Sequence, residues 1–297
     1  MRLKADLTLL LVAIIWGIAF GAQRATAAIA GVWWFNGSRF LLAALVMLPL
    51  AIKQKTTLDH RNWFLILITG LVLAGASALQ QAGLRLTSAA NAGFITSLYV
   101  VLVPVLGFLF FHRKTSRLTW IAAFIALFGA VLLSTGGKTL HLAPGDSLEL
   151  TGAVLWAFHL ILVDQVVKRV NVLGFATAQY FIAGVVQCLL GIVFELGYMR
   201  MIGEVWWAVA YTGIISVAVG YTLQAHAQRV APPADAALIL STESVFAAIT
   251  GFIMIGETLL PIQIVGCALI FGAVLIAQAP WLLNKSQGNQ PVVESLD

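Results

Sequence analysis

The chain has 297 residues, of which 61% are hydrophobic and 10% charged, against roughly 45–50% apolar and about 25% charged in a soluble domain; that composition excludes an ordinary soluble fold. The net charge of +5 is scattered over short polar breaks, with no basic stripe or aromatic-interleaved patch, so nucleic acid is not an expected partner. Cys188 and Cys267 each sit within an apolar run and read as small buried residues, not as a disulfide framework or metal site.

A bilayer core about 30 Å thick takes roughly 20 apolar residues per helical span. Ten such runs are legible, near 7–23, 33–52, 63–83, 89–111, 119–135, 148–167, 175–197, 205–225, 236–256 and 261–281, leaving no room for a soluble domain. Arg2 and Lys4 before the first run, with Ala19-Phe20-Gly21 resembling a cleavage site, also fit a secretory signal peptide, a reading that the repeat described below opposes. Gly17 and Gly21 in the same run form a small-xxx-small pair suited to close helix contact.

In the second run Arg39 lies about six residues in, roughly 9 Å below the surface. It either snorkels outward along its stem, holds a substrate carboxylate, or balances Glu243; Asn36, one turn earlier, shares its face. Trp16 and Trp156 read as a cavity wall or as core packing. Gln81 and Gln224 also have both readings, but a glutamine in a span needs hydrogen-bond partners. His159, one turn after Trp156, is either a neutral imidazole bonded to a backbone carbonyl or a proton partner for Glu243. Asp164 and Lys168 read as an interfacial ion pair. Trp33, Trp34, Trp63, Trp206, Trp207 and Trp281 read as belt anchors at span ends, and NKSQGNQPVVESLD after Trp281 as a disordered polar tail.

The ninth run contains LSTESVFAAITGF, in which Glu243 is the sole ionisable side chain between Ala236 and Gly256. It lies about 12 Å into the span, where an isolated charge costs about 2.5–3.5 kcal/mol on insertion scales, so it must face a cavity, a partner or a proton. It is either a proton-coupling or amine-binding group, or an acid that cross-links helices through Ser241, Ser244 or a neighbouring span. Enzyme signatures are absent from the sequence. Ser134 to Thr139 resembles a phosphate-binding loop, but Leu132 stands where its first glycine belongs, and no Cys/His cluster has metal-ligand spacing. Neither an enzyme nor a cofactor is expected.

The basic residues orient the chain. With the N-terminus inside, twelve fall on the inner side (Arg2, Lys4, Lys53, Lys55, Arg61, Arg113, Lys114, Arg117, Lys168, Arg169, Arg229, Lys285) and only Arg24, Arg85, Lys138 and Arg200 outside. This bias predicts cytoplasmic termini. The sequence also repeats itself: residues 9–28 lie over 149–168, placing Trp16 on Trp156, and Phe40 falls on Tyr180. Residues 69–82 lie over 212–225, placing Gln81 on Gln224, and 91–108 over 235–252, placing Tyr99 on Glu243; FGAVL recurs at 128–132 and 271–275. Five spans followed by five similar spans require the second set to enter the membrane inverted, the plan of secondary transporters with a midplane site. The expected fold is therefore an all-α integral membrane protein of ten transmembrane helices in two inverted five-helix repeats, 1–140 and 141–283, with a polar cytoplasmic tail at 284–297.

Trp16-Gly17, Arg39-Phe40 followed by Leu41-Leu42-Ala43-Ala44, Pro104, Ala231-Pro232, Glu243 with Phe246-Ala247, Gly256-Glu257, Gly266 and Gly272-Ala273-Val274-Leu275 carry a family likeness. In their order and spacing the chain resembles the ten-span EamA-type members of the drug/metabolite transporter superfamily. The resemblance implies a cytoplasmic-membrane carrier, often an exporter of amino acids or related compounds, with spans one to four and six to nine around a central cavity. The family often has proline after the span-nine glutamate; here it is Ser244. The resulting expectation is a proton-coupled, alternating-access exporter of a small metabolite in the inner membrane, with Glu243, Arg39, Tyr99, His159, Trp16, Trp156, Gln81 and Gln224 at the site. Its expected partners are a small-molecule substrate, the lipid bilayer and protons. Import of a vitamin-like or sugar metabolite, or flipping of a lipid head group, are alternatives on the same fold.

Overall fold

Helix starts in this chain are set by short polar residues at the breaks between apolar runs. Ser88 Oγ accepts from the Asn91 amide at 3.1 Å, Ser116 Oγ from Thr119 at 3.0 Å, and Asn171 Oδ1 from Leu173 at 2.9 Å, each satisfying an amide that the first helical turn leaves without a partner. The Glu195 carboxylate does this from a distance, accepting from the Val32 and Trp33 amides at 2.9 and 2.8 Å. Two helices end in left-handed residues, His112 (φ 53°) and Gly136 (φ 59°).

The resulting computed structural model describes residues 1–54, 60–138, 143–255 and 260–286, and of Ala90, Gly251, Met254, Ile255 and 279–286 only the backbone. Gly256-Glu257, Lys55, Thr139, the tail from 287 and the side chains of Trp281 and Lys285 lie outside the described residues. The described elements are α1 (Arg2–Thr26), α2 (Val32–Ala51), α3 (His60–Leu84), α4 (Ala89–Ser97), α5 (Tyr99–Phe111), α6 (Arg117–Thr135), α7 (Asp146–Val167) and α8 (Val172–Phe194). A 3-10 segment (Leu196–Gly203) leads to α9 (Trp206–Ala210), a π-wound stretch (Tyr211–Tyr221) and α10 (Thr222–Ala227). Then come α11 (Pro233–Leu240), α12 (Glu243–Ile255) and α13 (Pro261–Ser286).

Among the described residues the chain is all-helical, and nine helices are long and apolar enough to cross a membrane. The apolar run expected as the ninth span is instead two consecutive helices, α11 and α12, separated at Ser241-Thr242. Proline is not needed for that interruption. Ser241, Thr242 and Ser244 hydroxyls donate to the carbonyls of Leu238, Ile239 and Ser241 at 2.7–2.8 Å, offering those carbonyls an alternative to the helical amides.

Polarity is distributed as in a protein whose solvent is lipid. Leu45, Phe64, Phe108, Phe124, Phe181, Val193 and Ile253 lie exposed on the outer surface, while Asn36, Arg39, Gln81, Glu149, His159, Asp164, Gln179 and Glu243 are buried. Small residues allow the closest helix approaches: a methyl group added to Gly129 on α6 would meet the Gly266 carbonyl of α13 at 2.7 Å, so these two helices pack backbone to backbone. Of the expected belt tryptophans, Trp63, Trp206 and Trp207 are exposed; Trp34 is instead buried and donates to the Glu195 carbonyl at 3.0 Å.

Candidate functional site

Glu243 is the first residue of α12 and Tyr99 the first of α5, so each follows an interruption that frees its side chain from a continuous helical face. The Tyr99 hydroxyl donates to Glu243 Oε1 at 2.8 Å, with both residues buried. Gly17 lets α1 cross at this level: a Cβ there would lie 2.4 Å from Phe246 Cβ and 2.8 Å from the Glu243 carbonyl. A larger residue at 17 would therefore push α1 away from the acid.

These residues open on a central cavity of about 30 Å³, room for roughly two water molecules. Its lining comes from α1 (Trp16, Phe20, Gln23), α2 (Arg39), α3 (Gln80), α4 and α5 (Thr96, Tyr99), α7 (Trp156, His159), the π-wound stretch (Ser216, Tyr221), α10 (Gln224) and α12 (Glu243). The described parts of α6 and α13 contribute no lining residue. Neither does α8, which reaches the site through Gln179, bonded to His159 Nε2 at 3.0 Å, and through Tyr180, whose ring lies 6.4 Å from that of Tyr221.

Seven of the eight sequence-predicted site residues thus surround one cavity; Gln81 does not. Its neighbour Gln80 faces the cavity, while the Gln81 amide is fully buried with neither end partnered among the described residues. The expected balance between Arg39 and Glu243 is also absent: among the described residues no ion pair joins them. The Arg39 guanidinium is buried, donates to Gln23 Oε1 at 2.9 Å and lies over the Phe35 and Phe40 rings at 5.6 and 5.1 Å. It turns inward, so the snorkelling alternative does not describe it, and aromatic faces take the role expected of the carboxylate. Asn36 is tied to the Ser77 carbonyl at 3.1 Å and does not line the cavity. His159 takes a side-chain amide where a backbone carbonyl was expected.

The centre of the site is a residue that sequence reasoning missed. Tyr221 lies 4.6 Å from Trp16, 5.9 Å from Trp156 with the rings nearly parallel, and 5.9 Å from His159 edge-on. The π-wound backbone aims it and Ser216 inward, and such winding is frequent at functional sites. Trp16 donates to the Ser216 carbonyl at 3.1 Å, across a gap kept clear by Gly220. A signal for Tyr221 existed: it falls on Ala78 in the repeat, a small residue against a large aromatic. Gln23, Gln80 and Thr96 were missed because nothing in their spacing separates a cavity amide from one buried between helices.

At the end of the bundle that carries the basic residues lie two charge clusters. Asp164 accepts from Arg113 at 2.6 Å and is ion-paired with Lys168 at 2.8 Å, so the expected pair is a triad, and Arg2 bridges Asp6 and Asp235 at 3.0 and 2.6 Å. Around the cavity, Trp156 Nε1, Gln179 Nε2 and Gln224 Oε1 lack hydrogen-bond partners among the described residues. Buried polar atoms of this kind are satisfied by water or by a ligand.

The EamA-like transporter family matches the chain twice in succession, over residues 3–135 and 143–278. An uncharacterized transporter of Archaeoglobus fulgidus is 31% identical over 275 residues, covering 93% of this chain and 86% of that protein. YedA, an uncharacterized inner membrane transporter of Escherichia coli, is 24% identical over 267 residues, covering 87% and 85%. A solved crystal structure superposes with a TM-score of 0.77 at 17% identity, covering 97% of this chain and 99% of that one; at that identity it shows the fold alone. With a cavity assembled from helices of both matched segments and a family match over nearly all of its length, the chain is a multi-pass membrane protein and belongs to the EamA-like transporter family.

Proposed function

We propose that the protein is a secondary carrier that exports a small metabolite, an amino acid or related compound, by alternating access, with Glu243 exchanging the coupling proton. The observation that carries this reading is the small central cavity at which Tyr99, from the first half, donates to Glu243, from the second. A buried carboxyl with no cation against it is stable only with a proton or a positively charged ligand bound. Alternate occupation by proton and substrate amine then couples the two fluxes. Arg39, buried with Nε unpartnered among the described residues, is the group for a substrate carboxylate, and Trp16, Trp156 and Tyr221 enclose the apolar part.

A cavity of this size admits no metabolite, so loading requires the helices around it to move apart. Release toward the basic end, which we place in the cytoplasm with both termini, requires the Arg113–Asp164–Lys168 and Arg2–Asp235 clusters to part. The two successive family matches and the sequence repeat support ten spans in two inverted halves, α11 and α12 together making the ninth. Each charge crossing 100 mV supplies about 2.3 kcal/mol, enough for an uphill gradient of roughly fiftyfold.

The test is a comparison of metabolites inside and outside cells expressing wild type, Glu243→Gln or empty vector. The carrier reading expects at least one compound to be depleted inside and enriched outside with wild type only. If none differs between wild type and vector, that reading is lost; if Glu243→Gln transports normally on both sides of neutral pH, the coupling role is lost.

A further inference from the structure

Glu149 is a second buried carboxyl, at the opposite end of α7 from Asp164, and the carrier cycle described above makes no use of it. It has no exposed surface. Its Oε2 accepts from the Thr96 hydroxyl at 3.3 Å, and Thr96 in turn accepts from Gln80 Nε2 at 3.3 Å. Its Oε1 has no hydrogen-bond partner among the described residues. Gly83 of α3 packs on it so closely that a Cβ there would lie 2.6 Å from Oε1.

Among the described residues the groups facing Glu149 include no cation: Gly83 and Gln80 come from α3, Thr96 from α4, and Asp146, one turn earlier, from α7 itself. No ion pair to Glu149 exists among the described residues. Asp146 differs in being fully partnered, accepting from Thr87 at 2.7 Å, the Ala143 amide at 2.8 Å and Asn91 at 3.3 Å. Asp146 and Asn91 also line a crevice of about 370 Å³. Thr96 and Gln80, on the other side, line the central cavity with Tyr99 and Glu243. Glu149 therefore stands between a crevice at the end remote from Arg113 and the site itself.

We propose that Glu149 is a proton-binding carboxyl on the route between that crevice and the Glu243 cavity. The proton enters past Asp146 and binds Oε1 of Glu149; it passes on when the carboxyl turns its O–H to Thr96 Oγ and the Thr96 hydroxyl turns its own proton from Oε2 to water in the cavity, which restores the carboxylate. A proton fits better than an alkali cation because the surroundings are poor in oxygen ligands. Thr96 already donates to the carboxylate and accepts from Gln80, and Gln80 presents its nitrogen. The inference rests on the carrier reading only for the use made of the proton, not for where it binds.

Infrared difference spectra of the purified protein in lipid, recorded as pH is lowered, read protonated carboxyl groups directly. Glu149→Gln is expected to remove one protonated-carboxyl component and Glu243→Gln another. Thr96→Val is expected to shift the Glu149 component while leaving the Glu243 component in place, and it serves if Glu149→Gln fails to fold. If Glu149→Gln removes no component, or Thr96→Val shifts none, the inference is overturned while the Glu243 reading stands. Loss of the Glu149 component on adding sodium or potassium also overturns it, in favour of a cation site. Absence of the Glu243 component alone sinks the coupling reading and leaves this inference intact.

Discussion

Helices α4–α5 and α11–α12 occupy matching positions in the repeat and are interrupted at the same place. Ser97 donates back to Phe94 at 2.7 Å, and Ser241, its repeat partner, to Leu238 at 2.8 Å; the next residues, Leu98 and Thr242, separate the helices. Beyond that point the two part company. The first half continues with Tyr99 and places Pro104 in the following helix, whereas the second continues with Glu243 and has no proline in α12. A common backbone device has been given different chemistry by a single side chain, and the two side chains meet across the cavity. Tyr99 and Glu243 are matched positions of the sequence repeat, so their hydrogen bond joins the two family-matched halves of the chain at the cavity.

The strongest way to break the comparison is to exchange the pair. Tyr99→Glu with Glu243→Tyr keeps the hydroxyl and carboxyl but moves the acid to the other half. We expect insertion into the membrane to persist and transport to fall by more than about a hundredfold, a transition-state loss of roughly 3 kcal/mol. Transport at the wild-type rate would mean that the side carrying the acid is immaterial.

Gly17→Val comes next. Its repeat partner is Ala157, which already has a Cβ; at 17 the added atoms collide with Phe246 and the Glu243 carbonyl. Overpacking of this kind costs about 1–3 kcal/mol, read as a lowered midpoint of thermal unfolding in detergent, while Ala157→Gly costs nearer 1 kcal/mol. An unchanged midpoint for Gly17→Val would show that α1 does not approach α12 so closely.

Tyr99→Phe removes one hydrogen bond to the carboxyl and leaves the ring. A bond to a charged group contributes about 1.5–3 kcal/mol and a neutral one about 1 kcal/mol, so transport should fall by roughly tenfold and its pH profile should move. A lower rate with an unmoved pH profile would make Tyr99 a packing residue. The smallest effects belong to Ser97→Ala and Ser241→Ala, each under about 1 kcal/mol in stability. Equal effects would support one device in both halves; a change in transport confined to Ser241→Ala would show that the interruption matters only beside the acid.

The membrane-spanning character, the positions of the helices and the odd status of Glu243 and Arg39 follow from local physics. Apolar run length sets the helices, because backbone groups in lipid must be satisfied within the segment, and a charge inside such a run is expensive wherever the helix packs. Partners across the bundle are not local. That Arg39 turns to Gln23 and two phenylalanine rings, that Gln80 faces the cavity and Gln81 does not, and that Tyr221 centres the aromatic cluster all depend on helix rotation. One residue along a helix turns a side chain by about 100°, and π-winding shifts the face again, so neighbouring positions of equal polarity exchange roles without any change of pattern. Glu149 shows the same limit: by position it reads as an ordinary acid at a span end, and only the packing of Gly83 and Thr96 around it makes it a buried one.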